Sequence, residues 1–256
     1  MNGMSSGWQA RAIQIGSVAA LFLLWDFVGE RKLINAILLP APRAVFWKFV
    51  ALAQTSALYT HLFVTLMELV LGFLIAAAAG LSLGYFIGRS RYGTMVFEPL
   101  LAGVFAVPIV IFLPIFLLFF GIGPSSKIAF GATYAFFPIV LNTIGGISQV
   151  DDRYVRVARA MGADDMQMFR RVLLPAALPV IVTGLRIGCI IGFLSIIGSE
   201  MIAGIEGLGS QIVRLGEAMN TAEMFAYILF VIFFAIILNT GLSHLQARFA
   251  IPGDGR

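Results

Sequence analysis

Residues 172–199 read Val172-Leu-Leu-Pro-Ala-Ala-Leu-Pro-Val-Ile-Val-Thr-Gly-Leu-Arg186-Ile-Gly-Cys-Ile-Ile-Gly-Phe-Leu-Ser-Ile-Ile-Gly-Ser199. One charge, Arg186, interrupts these 28 residues. A helix needs about 20 mainly apolar residues to cross the hydrocarbon core of a bilayer. This stretch is therefore read as a membrane-spanning helix. Five more charge-poor runs accompany it: between Arg11 and Asp26 (continuing through Phe27 and Val28), from Leu69 to Gly88 with a start near Tyr59, Pro99 to Ser126, Ile128 to Val150, and Met224 to Ser243. The first run follows a single Arg, as in a signal peptide. However, Asp26, Glu30, Arg31 and Lys32 stand where a small-residue cleavage site would be needed.

The composition agrees. Of 256 residues, 60% are hydrophobic and 12% charged, whereas soluble domains carry about 25% charged residues. Mean hydropathy is +0.96, which excludes both a water-soluble globule and a disordered chain. The single cysteine, Cys189, excludes a disulfide framework and any C-x-x-C site. A net charge of +4 gives no support for nucleic-acid binding, since basic cytoplasmic loops produce it. The runs are continuous rather than alternating, so the fold expected is all-α and polytopic, with six transmembrane helices and no β-barrel.

Orientation follows from Lys and Arg in the short loops. With the N-terminus inside, Arg11, Arg89, Arg91, Arg153, Arg156, Arg159, Arg170, Arg171, Arg248 and Arg256 are cytoplasmic, while Arg31, Lys32, Arg43, Lys48, Lys127 and Arg214 are external. Ten against six places both termini in the cytoplasm. Residues 42–55 read as an amphipathic helix at the outer interface, anchored by Trp47. Gly72, Ala76, Gly80, Gly84 and Gly88 recur every fourth residue, as do Gly184, Gly188 and Gly192. Such stripes suit close helix packing, within the chain or at a subunit interface. Pro108, Pro114 and Pro138 are expected to kink helices or line a cavity.

Residues 151–171 concentrate nine of the 30 charges. Tyr154, Val157, Ala158 and Met161 fall at helical spacing beside Arg153 and Arg156. Gly162 suits the left-handed position after a helix, and Asp164 can cap a second one. The element is either a docking surface or an ordinary basic loop.

The run from Arg156 through Val157, Ala158, Met161, Gly162, Val172 and Leu174 to Pro175 resembles the cytoplasmic EAA loop of ABC importer permeases: EAA, three residues, Gly, nine residues, Ile, any residue, Leu-Pro. Ala158, Gly162, Leu174 and Pro175 are identical; Val172 replaces Ile, Val157 replaces Ala and Arg156 replaces Glu, inverting a charge at the ATPase contact the family pattern implies. Residues 174–179, Thr183-Gly-Leu-Arg186, Ser199-Glu200-Met-Ile-Ala203, Gly207-Leu-Gly209 and Leu38-Leu-Pro-Ala-Pro-Arg43 are similar to the permeases for nitrate, sulfonates and taurine. The likeness covers roughly residues 35–250.

The resemblance implies a type I importer of the bacterial cytoplasmic (inner) membrane, built from a second permease copy (a homodimer), a cytosolic ABC ATPase dimer on the two loops and an extracytoplasmic solute-binding protein. It implies an N-terminal helix with an external segment over 1–57, a transmembrane domain over 58–250 with its coupling loop at 151–172, and a tail at 251–256. The solute expected is a small anion such as a sulfonate, taurine or nitrate. None of the lysines, Lys32, Lys48 and Lys127, follows a glycine, so the chain carries no Gly-x-x-x-x-Gly-Lys phosphate loop. It is read as no enzyme, without a cofactor of its own, and with ATP on partner subunits.

Within the spans, Arg186, Glu200 and Glu68 are the candidate translocation-path residues. A charge near mid-bilayer should face the interior. Arg186 then attracts an anionic solute or pairs with Glu68 or helix-end carbonyls, and the pair is the favoured reading. Glu200 suits a loop-anchoring carboxylate. His61 and His244 lie at opposite boundaries and form no metal pair; neither precedes Glu, as a His-Glu-x-x-His peptidase requires, and Gly146-Ile-Ser-Gln-Val150 lacks the last glycine of a nucleophile elbow. An ion-coupled secondary transporter or channel is the alternative, but no internal repeat marks one.

Overall fold

The computed structural model describes residues 3–31 and 33–249, and among these it is helical without strands. Lys32, Arg256 and the tail 251–256 lie outside the described residues. The helices are α1 (Gly3–Glu30), α2 (Pro42–Leu52), α3 (Ser56–Gly88), α4 (Arg91–Phe105), α5 (Leu113–Phe120), α6 (Pro124–Ser148), α7 (Asp152–Ala160), α8 (Asp165–Met168), α9 (Leu174–Ala203), α10 (Leu208–Glu217) and α11 (Thr221–Phe249). Two compact units divide the chain, one of residues 1–59 with 211–232, the other of 60–210 with 233–256.

In the first unit, α2 begins on Pro42, whose missing N–H is harmless in a first turn. It buries Val45 and Leu52 and leaves Trp47 exposed, as an interfacial anchor requires. Phe49 stacks on Phe230 at 4.1 Å, and Lys48 reaches Glu223 at 3.4 Å. The Trp25 indole N–H donates to the Pro40 carbonyl at 3.0 Å, fixing the chain between α1 and α2.

The second unit is centred on α6 packed along α9. Ile139, Val140, Ile144, Ala177 and Ile196 are fully buried. Both small-residue stripes serve packing inside the chain: a Cβ at Gly188 would lie 2.6 Å from Ile139, and one at Gly84 2.5 Å from Thr143. Backbones approach closely where those side chains are missing.

Among the described residues, five helices are long and apolar enough to cross a membrane, or six if one bent pair is a single span. The third expected run, Pro99–Ser126, is that bent pair, broken rather than continuous. It is α4, a 3-10 turn over Ile109–Phe112 and α5, bent by 75°. Pro108 lacks an N–H, disfavours helical backbone in the residue before it and is itself extended, with ψ 95°, so the break falls there. Pro114 is absorbed in the first turn of α5, while Pro99 and Pro138 lie inside α4 and α6.

A second correction concerns the start of the fifth span. The expectation put it at Val172, but α8 runs through a π-turn, Phe169–Leu173, ahead of Pro175 and into α9, making one helical run over Asp165–Ala203. The proline ring clashes with the carbonyl four residues earlier, and a widened turn relieves that clash without ending the helix.

Candidate functional site

The first candidate is the charged loop. Asp151 caps α7 by accepting the Arg153 N–H at 2.8 Å. Met161 closes the helix, and Gly162 follows with φ +82°. The Gly162 N–H donates to Arg159 O at 2.9 Å and the Ala163 N–H to Ala158 O at 3.0 Å, the paired bonds of a Schellman stop. Asp164 then opens α8 in a capping box with Gln167. Tyr154, Val157 and Met161 are 66%, 59% and 83% exposed, an unpartnered apolar stripe beside the exposed Arg156. Ala158, Val172 and Leu174 are half-buried, and Pro175 is exposed. Met168 is buried, and Phe169 meets Tyr85 of α3 edge-on at 4.5 Å. The loop is thereby fastened to the transmembrane helices through α8 and the π-turn.

A second candidate is a buried polar cluster joining α3, α6 and α9. Glu68 and Glu200 are fully buried, and Lys127, 2% exposed, reaches Glu68 at 3.4 Å. Glu68 Oε2 is buried without a hydrogen-bond partner. Thr65 donates to Glu200 Oε1 at 2.6 Å and accepts the Leu208 N–H at 3.0 Å. The Gly209 N–H donates to Glu200 Oε2 at 2.7 Å, and the Gly207 N–H to His61 Nδ1 at 3.3 Å. Glu200 thus receives one opening N–H of α10 directly, from Gly209, and lies next to Thr65, which takes the other from Leu208; there the helix dipole favours a negative charge. Gly207 has φ +104°, and a Cβ there would fall onto the Glu200 carboxylate. The carboxylate anchors the turn between α9 and α10.

Two expectations fail here for one reason, the identity of the facing helix. Lys127, counted among the external charges, is buried three residues into α6. It takes the Glu68 partner assigned to Arg186. Arg186 instead donates through Nε and Nη2 to Asn239 Oδ1, at 3.3 and 2.8 Å, and through Nη1 to Gln246 Oε1 at 2.9 Å. The Gln246 amide in turn donates to the Thr183 hydroxyl at 2.7 Å. Arg186, Glu68 and Glu200 are therefore not one site. Thr65, Lys127, Asn239 and Gln246 were missed. Asn239, near the end of the apolar run, and Gln246, just beyond it, stand seven residues apart, a two-turn spacing that marks one helix face.

Among the described residues, no cluster of His, Cys, Asp and Glu is suited to a metal. A cleft of about 730 Å³ lies where α3 ends, α4 starts and α7 begins, with Arg89, Arg91, Asp152, Arg159 and Asp165 on its walls.

The family of binding-protein-dependent transport system inner membrane components matches residues 76–250. The chain is similar to the taurine transport system permease protein TauC of Escherichia coli, 32% identical over 92% of this chain and 88% of that protein. It is also similar to the aliphatic sulfonates transport permease protein SsuC of Bacillus subtilis, 33% identical over 86% and 78%. Its fold resembles a chain of the MetNI methionine ABC transporter, with TM-score 0.63 and 20% identity, covering 74% of this chain and 94% of that one.

Proposed function

This chain belongs to the binding-protein-dependent transport system inner membrane components, and from that membership we propose how it imports its solute. It is a multi-pass permease component of an ABC importer in the inner membrane. Two cytosolic ATPases dock on the loops of two permease copies, and an extracytoplasmic binding protein delivers the solute. The observation that carries this reading is the exposed stripe Tyr154, Val157 and Met161 on α7, ended by a left-handed glycine. An amphipathic helix with nothing on its apolar face fits a groove on a soluble partner. ATP stays on that partner, because this chain has no phosphate-binding loop.

The N-terminal helix with its interfacial segment (1–57) precedes the transporting domain (58–250) in the sequence, and both termini are cytoplasmic. With Lys127 buried, the loop count becomes ten basic residues inside against five outside, which strengthens that orientation. The solute is a small anion of the sulfonate, taurine or nitrate kind, on the strength of the relatives' names and an uncompensated intramembrane arginine.

Reconstituted vesicles test the reading. Uptake should require ATP and the co-expressed ATPase, and Val157→Asp with Met161→Asp should strip the ATPase from the purified complex. Uptake driven by an ion gradient alone would refute it. Calorimetry on the binding protein encoded beside this chain tests the solute class, and a cationic or purely apolar ligand would overturn the anion assignment.

A further inference from the structure

Arg186 is a half-buried guanidinium inside a membrane span, and its neighbours orient it without neutralising it. Its hydrogen-bond partners are the side-chain oxygens of Asn239 and Gln246, both neutral. Among the described residues no carboxylate forms an ion pair with it. The sequence offers none nearby either: α9 carries one acidic residue, Glu200, and α11 carries one, Glu223, at its opposite end. Glu200 is engaged by Thr65 and Gly209.

A guanidinium has five N–H donors in a planar fork. Three donor contacts go to Asn239 and Gln246, so donor capacity remains on Nη1 and Nη2. Asn239 is exposed, so the side of α11 beside the guanidinium is not sealed by protein within this chain. Thr183 holds the Gln246 amide, which keeps its oxygen turned to Arg186. A fixed, uncompensated cation with spare parallel donors is built for bidentate recognition of an oxyanion.

We propose that Arg186, held by Asn239 and Gln246, is an oxyanion-binding station within the membrane, where the RSO₃⁻ or NO₃⁻ group of the solute is bound in transit. This rests on the anion-import reading above and assigns residues to it. A phospholipid phosphate offers the same oxygens and is the competing source.

The decisive variant is Gln246→Glu in the assembled importer. The introduced carboxylate can still accept from Arg186, and from the Thr183 hydroxyl once that proton turns away from the Pro179 carbonyl, so the bridge between α9 and α11 survives while its charge is cancelled. Protein level and ATPase co-purification should stay near wild type. Protection of the detergent-solubilised complex against heat by methanesulfonate or nitrate should fall at least about tenfold in apparent affinity, as for the loss of a charge-assisted contact. Arg186→Lys should keep part of the affinity and lose bidentate selectivity.

Protection that persists in phosphatidylcholine alone assigns the station to the solute. Protection that needs anionic lipid, with loss of co-purified phospholipid in Gln246→Glu, assigns it to a headgroup. If Gln246→Glu raises thermal stability and leaves anion protection and lipid content unchanged, Arg186 is only a tie between helices and the proposal is overturned. That outcome leaves the anion reading standing, because calorimetry on the binding protein tests it separately.

Discussion

Replacing Gly162 by valine isolates the turn that ends α7. The glycine sits at φ +82°, and a Cβ built there meets nothing within 4 Å. The penalty is therefore conformational rather than steric. A left-handed backbone costs an L-residue about 1–2 kcal/mol, and a β-branched residue stands at the upper end. The Schellman bonds from Gly162 and Ala163 hold only in that conformation. About 1–2 kcal/mol reduces the population of the docking-competent turn by roughly 5–30-fold. The same amount is small beside the burial that holds the α6–α9 core, so membrane insertion and protein level should remain near normal. Uptake should fall in the order Gly, Asn, Ala, Val, because Asn tolerates the left-handed region better than other side chains. The assay is solute uptake in vesicles, with ATPase co-purification read on the same preparations. Wild-type uptake by Gly162→Val with the ATPase still bound would refute the coupling role.

Glu68→Ala should destabilise the solubilised protein by about 3–5 kcal/mol, since it strands a buried ammonium on Lys127. Glu68→Leu with Lys127→Met should recover most of that loss, and denaturation of wild type, Glu68→Leu, Lys127→Met and the double variant in a double-mutant cycle measures the coupling. Glu200→Ala leaves the Gly209 N–H and the Thr65 hydroxyl without their acceptor, at about 1–3 kcal/mol for each buried group. Limited proteolysis at residues 204–207 should then accelerate, and unchanged cleavage would show that Glu200 does not hold this turn. Reporters fused at residue 95 or 160 should be cytoplasmic and those at Pro124 or Gly209 external; the reverse pattern would overturn the orientation.

Local pattern made most of the fold legible. The apolar runs are long and nearly uncharged, and a helix is the only way their backbones meet their own hydrogen bonds in lipid. The loop 151–171 was legible for a similar reason: Asp151, Gly162 and Asp164 act on N–H groups and φ angles within three residues of themselves. Pro108 was legible as a disturbance, but its sequence alone does not distinguish a kink from the 75° break.

Composition and periodicity thus determined by themselves that this chain is a helical membrane protein with one structured charged loop. Tertiary structure alone decided which polar groups share a site. Lys127 looked external because it stands at the edge of an apolar run, and Arg186 looked paired with Glu68 because both are charges within spans. Packing α6 beside α3 gave Glu68 to Lys127, and packing α11 beside α9 gave Arg186 two neutral amides. The partner of a buried charge is set by which helix faces it, and that depends on contacts between residues 53 to 60 positions apart, beyond the reach of any local pattern.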